Sequence, residues 1–367
     1  MQTSHDVIEQ LYQSRNPERI GLRDSPWKDT LEKWVGQGYP TGDDGTPVVP
    51  GEHFGFDMVG IGGGFPWKAK LEEDTVVEQT DEWKIVRDGN GANFKWWQHK
   101  SGTPEHVDFA MTNRRVWEEE YKPHVVGSAR TRASAERLGA MKESLESIRN
   151  AGKWADGGFR GIWENMRAAF GDLALYENML LDPEWIHDYC RTYTDLYTEE
   201  FHIILEEVGK PDGIWFFDDL GYKGSTFCAP ELYEELIFPY YHELISLIHS
   251  HGIPVTLHTC GYTESVLDLI VGAGFDGLHP MEVKAGNDWL RIAENYAEKL
   301  VFVGGLDARV FESHDRAYIR KEIAMMMNGL KERGARYVFG SDHSLSTVID
   351  YGDFQYALEV YREHMMY

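Results

Sequence analysis

Apolar and polar positions along this chain follow two periods. Over residues 76–99, "VVEQTDEWKIVRDGNGANFKWWQH", apolar and polar residues alternate on either side of "DGNG". That pattern with that turn predicts an antiparallel β-ribbon. From about residue 105, helical segments are separated by short apolar runs, the alternation of a parallel α/β fold. The expected strands are "GIWFFDD" (213–219), "PVTLHTC" (254–260), "FDGLHP" (275–280), "KLVFVGG" (299–305) and "ARYVFGSD" (335–342). Helices are expected over 129–150, 184–208, 230–250, 262–273, 287–297 and 315–333, with 354–365 closing the chain. Pro230 suits a first helical turn and Gly252 a helix stop.

Strands spaced by roughly 20 to 45 residues with helices between them point to a (β/α)₈ TIM barrel, which needs ~250 residues plus insertions. Residues 105–367 are expected to form it. Residues 1–104 then read as an N-terminal extension carrying the antiparallel β-ribbon and packed on the barrel. A doubly wound sheet is less favoured, because no G-x-G-x-x-G follows an expected strand. "GIGGG" at 60–64 precedes "FPWK", a poor helix start, and reads as a loop.

The 367 residues, 42% hydrophobic and 26% charged, have the composition of an ordinary globular chain. A formal net charge of −25 disfavours nucleic acid and anionic membrane as partners, since both repel an acidic surface. No apolar run suggests a signal peptide or a membrane span, so a cytoplasmic location is expected. The three cysteines, Cys190, Cys228 and Cys260, are too few for a disulfide framework. A functional cysteine would therefore be a ligand or a nucleophile.

In a barrel, chemistry sits at the C-terminal ends of the strands. The expected strand ends carry Asp218 and Asp219, His258 and Cys260, His279 and Glu282, Asp307, and Asp342 with His343. In extended backbone His258 and Cys260 project to the same side. His258, Cys260, Glu282 and His343 together form a reasonable zinc ligand set. His279 and Asp342 are competing ligands, groups that orient the ligands, or substrate contacts. His279 also has a plain structural reading as a histidine bonded to backbone. Asp219 and Asp307 are candidate catalytic groups, Asp218 a structural partner, and Arg309 a pairing partner for Asp307. Of the 12 Trp, 19 Tyr and 17 Phe, Trp67, Trp163 and Tyr262 are placed in loops or strand ends and are candidate walls of a substrate pocket.

Several stretches resemble the uroporphyrinogen decarboxylase superfamily, especially its methyltransferase-like members. They are "FFDDLGYKGSTFCAPELYEELIFPYYHELISLIHSHGIPVTLHTCG", "GAGFDGLHPMEVKAGNDW", "FVGGLDAR" and "GSDHS". The resemblance runs from about Trp154 to the end and, more weakly, over 26–57. It implies a (β/α)₈ barrel. The arginine-rich signature of the porphyrinogen decarboxylases is missing from "SPWKDTLEKW". In corrinoid-linked methyltransferases of this superfamily an H-x-C pair and a later cysteine hold zinc, and in related barrels a glutamate lies between them. His258, Cys260 and Glu282 match that order, and His343 falls at the position of the later cysteine.

Exchange of a thiolate for an imidazole lowers the negative charge around the ion and makes it a stronger Lewis acid. Such an ion favours polarising an ether oxygen over activating a thiol. The expectation is a zinc-dependent methyltransferase that moves methyl from a small O-methyl donor, methoxylated and aromatic, to a corrinoid protein partner. The alternative is a metal-free decarboxylase acting on another carboxylic acid.

Overall fold

Short runs rich in β-branched and aromatic residues, bounded by Gly, Pro or Asp, form parallel strands, because such side chains pack well on a sheet buried on both faces. In the computed structural model, which describes residues 2–15, 17–62, 64–99 and 101–367, the chain begins with β1 (Gly21–Leu22) and β2 (Met58–Gly60). An antiparallel group follows: β3 (Thr75–Gln79), β4 (Trp83–Arg87), β5 (Ala92–Trp97) and β6 (Glu105–Phe109). Then come β7 (Trp154–Arg160), β8 (Gly213–Phe217), the small hairpin of β9 (Gly221–Tyr222) and β10 (Ser225–Thr226), and β11 (Val255–His258). The last strands are β12 (Gly277–His279), β13 (Val301–Val303) and β14 (Arg336–Phe339).

Eight of these strands form one parallel sheet in the order β1-β14-β13-β12-β11-β8-β7-β2. At its seam the Asp57 N–H donates to the Leu22 carbonyl (2.8 Å) and Asp57 Oδ2 accepts from the Leu22 N–H (2.7 Å). Asp57 is fully buried, and Arg19 grips both its oxygens at 2.6 and 2.7 Å. The result is the (β/α)₈ barrel expected from the sequence, with the antiparallel sheet beside it.

Two strands of the barrel lie inside the residues expected to be an extension. β1 and β2 have two and three residues, too few for a period to show in the sequence. The expected ribbon is a four-stranded sheet over residues 75–109, which runs across the expected boundary at 104. Its central turn is "DGNG" as expected: Asp88 Oδ1 accepts from the N–H groups of Asn90 and Ala92, and Gly91 has φ +72°. The loop expected at 60–64 includes Gly63, which lies outside the described residues.

β7 and the helix Ile162–Leu181 were not expected. "WADGGFR" lacks β-branched residues, and the helix breaks at Gly171 (φ 73°), where Phe109 from β6 fills the space a Cβ would need. The helix expected over 230–250 is two, Pro230–Leu236 and Phe238–Ser250. Pro239 supplies no N–H to continue the first.

The helix Ser4–Tyr12 starts on a capping box between Thr3 and Asp6. Its Val7, Ile8 and Leu11 are fully buried against Met58, Trp154, Val301, Val303 and Val338. Met58, Trp154 and Val301 are the first residues of their strands, so the helix stoppers the N-terminal end of the barrel. Among the described residues no helix is long and apolar enough to cross a membrane.

Candidate active site

A cavity of about 660 Å³ opens at the C-terminal ends of the strands. Arg23 and Asp24 reach it from the end of β1, Trp215 and Phe217 from β8, and Asp219 from just beyond β8. His258, Cys260, His279, Ser341 and His343 complete its wall, and Trp96 with Ser101, Gly102 and Thr103 covers it from the antiparallel sheet. A smaller cavity of about 370 Å³, lined by His5, Asp212, His249 and Asp276 among others, lies toward the opposite end. Its histidines face carboxylates, His249 to Asp276 at 2.8 Å and His5 to Asp212 at 3.7 Å.

Alternation along the strand places the central pair. His258 ends β11 and Cys260 follows two residues later, so both turn to the cavity while Thr259 between them is buried and accepts from the Leu220 N–H at 2.9 Å. Cys260 Sγ lies 3.5 Å from His258 Nε2. Asp219 enters from the neighbouring strand end: its Oδ1 accepts from the Cys260 N–H at 2.8 Å and stands 3.6 Å from His258 Nε2. One imidazole nitrogen, the thiol sulfur and one carboxylate oxygen thus lie within 4.8 Å of one another.

Two glycines permit this approach. Gly261 adopts φ +81°, and a Cβ there would stand 2.1 Å from the Gly221 carbonyl carbon; a Cβ on Gly221 would meet the Tyr262 carbonyl at 2.3 Å. Only glycine accepts that conformation and that contact without cost.

Burial sets the protonation of the group. It pushes His258 down to about 4, against the opposing pull of Asp219. It also holds His279 well below the usual histidine range, helped by His258. Burial pushes the Cys260 thiol well up, as do the charges of Asp219 and Glu282. His279 Nδ1 and His258 Nδ1 share a hydrogen bond of 2.7 Å. That bond leaves His258 Nε2 turned toward Cys260 and Asp219, the orienting role usual beside a ligand histidine.

The four residues expected to bind zinc are thus brought together only in part. His258 and Cys260 are joined by Asp219, which the sequence suggested as catalytic, while Glu282 and His343 stand outside that group. Glu282 Oε2 accepts from the Gly261 N–H at 2.6 Å and its Oε1 faces Lys284 at 3.8 Å. His343 lines the cavity with its ring edge-on to Trp27. Asp342 is fully buried: Oδ1 accepts from the Ala308 N–H at 2.9 Å and Oδ2 has no partner.

Asp307 is not among the residues lining the cavity; Arg309 holds both its oxygens at 2.5 to 3.0 Å, the pairing the sequence suggested. Asp218 is the structural partner expected, buried, raised to about 7 by that burial, and bonded by Tyr241 Oη (2.5 Å) and the Glu164 N–H (2.6 Å).

None of the three aromatic residues expected to wall the pocket lines this cavity. Trp163 is fully buried in the first turn of the helix Ile162–Leu181, packed on Tyr176, Tyr233 and Phe227. Trp67 lies under the Arg160 guanidinium, and the Tyr262 backbone packs on Gly221. The aromatic wall comes instead from Trp27, Trp96, Trp215 and Phe217. Trp215, Phe217 and Asp219 alternate in "WFFDD", so that side of β8 was open to the same argument as the His258 and Cys260 pair. Arg23 and Asp24 follow a two-residue strand and carried no such signal.

The family described as uroporphyrinogen decarboxylase (URO-D) matches residues 132–364. Among solved structures, the fold is similar to that of a methyltransferase from Methanosarcina mazei, with a TM-score of 0.69 and 12% identity over 99% of each chain. A provisionally named vitamin-B12-independent methionine synthase from Listeria monocytogenes is similar over 95% of this chain and 98% of that chain, at 12% identity. Its TM-score of 0.44 is too low to carry an argument. No curated protein matches the chain.

Proposed function

Because this chain belongs to the uroporphyrinogen decarboxylase family, we propose that it is a zinc-dependent methyltransferase, moving a methyl group from a small methoxylated aromatic donor to a corrinoid protein. The observation that carries this reading is the meeting of an imidazole, a thiol and a carboxylate within 4.8 Å beside a cavity walled by tryptophan and phenylalanine. That donor set suits zinc, which takes nitrogen, sulfur and oxygen ligands and keeps a position open in catalytic sites.

His258, Cys260 and Asp219 would hold the ion, and when bound it supplies Lewis acidity toward a departing oxygen. The chain does the rest. His258 is neutral at physiological pH, and in the tautomer whose Nδ1–H donates to His279 Nδ1 its Nε2 has a free lone pair facing Cys260 and Asp219. Trp215 and Phe217 offer flat faces to an aromatic ring, while Trp96 and the segment 101–103 cover the mouth and limit water. His343 faces the same cavity, in place to contact the substrate oxygen. The corrinoid would arrive on a separate protein over this mouth.

Metal analysis of the purified protein tests the reading, together with methyl transfer from methoxylated benzenes to free cob(I)alamin followed by visible absorbance. About one zinc per chain, as a single site of this kind requires, should be present and lost on Cys260→Ala or Asp219→Asn, with transfer lost in parallel. A protein that purifies and reconstitutes without metal overturns it in favour of the metal-free decarboxylase.

A further inference from the structure

One tryptophan and one phenylalanine of this chain are more than a third exposed, Trp96 at 41% and Phe217 at 37%, and both line the cavity at the strand ends. Phe217 has a partner there, since its ring stacks on His258 with centres 4.7 Å apart. Trp96 has none: among the described residues no other ring and no cation packs on its indole. An indole left in water at the wall of a cavity is where a ligand ring gains most, because both lose apolar surface and their faces or edges then attract.

Alternation puts Trp96 there. Ala92, Phe94 and Trp96 share one side of β5, and the first two are buried against Ala168 of the helix Ile162–Leu181. Trp96, the next in that row, reaches the cavity instead. Trp27 comes from a separate segment, just before the helix Lys28–Gly36, with its ring edge-on to His343 at 5.8 Å. The two segments are tied together, since the Ser101 N–H donates to Asp29 Oδ2 at 3.1 Å. The outer part of the cavity is thus built by N-terminal residues, and the inner part, with Trp215, Phe217 and the His258, Cys260 and Asp219 group, by the strand ends.

A cavity of ~150 Å³ suffices to bind benzene, and this one has about 660 Å³. One methoxylated ring beside His258 and Cys260 therefore leaves most of the outer part to water. We propose that the outer part is a second aromatic subsite, in which Trp96 stacks on an uncharged ring joined to the ring that carries the methoxyl group. Charge is already placed elsewhere: Arg23 lies 3.5 Å over Trp215 at the inner end, and Asp24 accepts from Ser341 Oγ at 2.7 Å and the Ser25 N–H at 2.9 Å. Ser101, Thr103 and Ser344 line the cavity with hydroxyl groups, which suit a phenol or ether oxygen and not an ionic group. The methyl donor is then a two-ring aryl ether. The inference deepens the methyltransferase reading and rests on it only for which ring reacts.

Calorimetric binding of three compounds to the purified protein, with and without added zinc, tests it. They are 4-methoxyphenol, 4-hydroxy-4′-methoxybiphenyl and its saturated analogue 4-(4-methoxyphenyl)cyclohexanol. The biphenyl should bind about 10- to 100-fold tighter than the one-ring phenol, the range for burying a second ring. It should bind about 2- to 10-fold tighter than the cyclohexanol, the share that aromatic contact adds to burial. Trp96→Ala should remove most of the first advantage and all of the second, and Trp96→Phe should keep part of both. A merely structural role of Trp96 in the sheet would not move either ratio.

Equal binding of the one-ring and two-ring compounds by the wild-type protein overturns the proposal without recourse to any variant. An advantage that survives intact in Trp96→Ala overturns it too, and a cyclohexanol bound as tightly as the biphenyl overturns the aromatic assignment. Preference for two rings without methyl transfer sinks the methyltransferase reading and leaves this one standing. Transfer from one-ring and two-ring donors alike, with equal affinity, does the reverse.

Discussion

The protonation of the cavity wall is decided residue by residue. Burial keeps His258 and His279 neutral and the Cys260 thiol protonated, so a ligand-ready imidazole sits beside a sulfur that must lose its proton when an ion enters. On an ion held by His258, His279 would act through the shared bond between their Nδ1 atoms. His279→Phe keeps the ring and removes the bond. It should lower zinc affinity by roughly 10- to 100-fold, as loss of such an orienting partner does, in a titration against a chromophoric chelator, with the circular dichroism spectrum unchanged. Unchanged affinity would show that His258 is held by its stacking on Phe217 instead.

At the scale of elements, the site depends on how closely two strand ends approach. The turn after β8 and the turn after β11 touch through Gly221 and Gly261, and that contact sets Asp219 against the Cys260 N–H. Gly261→Ala introduces a Cβ where φ is +81° and the Gly221 backbone is 2.1 Å away. The two turns must then part. Metal content should fall below about half, given the demand of zinc for ligand distances within ~0.2 Å, while the β-branched core of the barrel keeps its far-ultraviolet spectrum. A variant that retains a full complement of zinc would show that Asp219 is not needed as a ligand. The same glycines were visible in "DDLGY" and "HTCGY", but a glycine alone does not say which backbone it will meet.

Over the whole molecule, an acidic chain buries several carboxyl groups whose folded forms prefer to be protonated. Glu200, on the helix Pro183–Ile203, is 2% exposed with Oε1 unpartnered, and burial raises it to about 8 despite nearby Arg132. An unfolded glutamate titrates near ~4.3. The folded chain therefore binds this proton more tightly, and the stability it contributes is complete below that value and lost as pH rises toward 8. Asp218, raised to about 7, and Asp24, Asp156 and Glu164, each raised to about 6, act in the same direction. Urea midpoints measured from about pH 5 to about pH 8.5, the window set by these shifts, should fall with rising pH. Glu200→Gln should flatten the fall, and an equal slope in both proteins would assign it to the other groups.

What the sequence by itself determined is the periodic part. The strands β8 and β11 to β14, with the helices between them, showed their spacing, and that spacing pointed to a barrel. The H-x-C pair could be put on one side of one strand because alternation acts within a strand. Tertiary structure alone decided what joins that pair. Asp219 from the adjacent strand takes the third place, and Glu282 turns to the Gly261 N–H, because the meeting of strand ends depends on the stagger of the sheet and on two glycine contacts far apart in sequence. β1, two residues long, has no period to read, so neither its place in the barrel nor the Arg23 it delivers to the cavity wall could be seen before the seam at Asp57 closed.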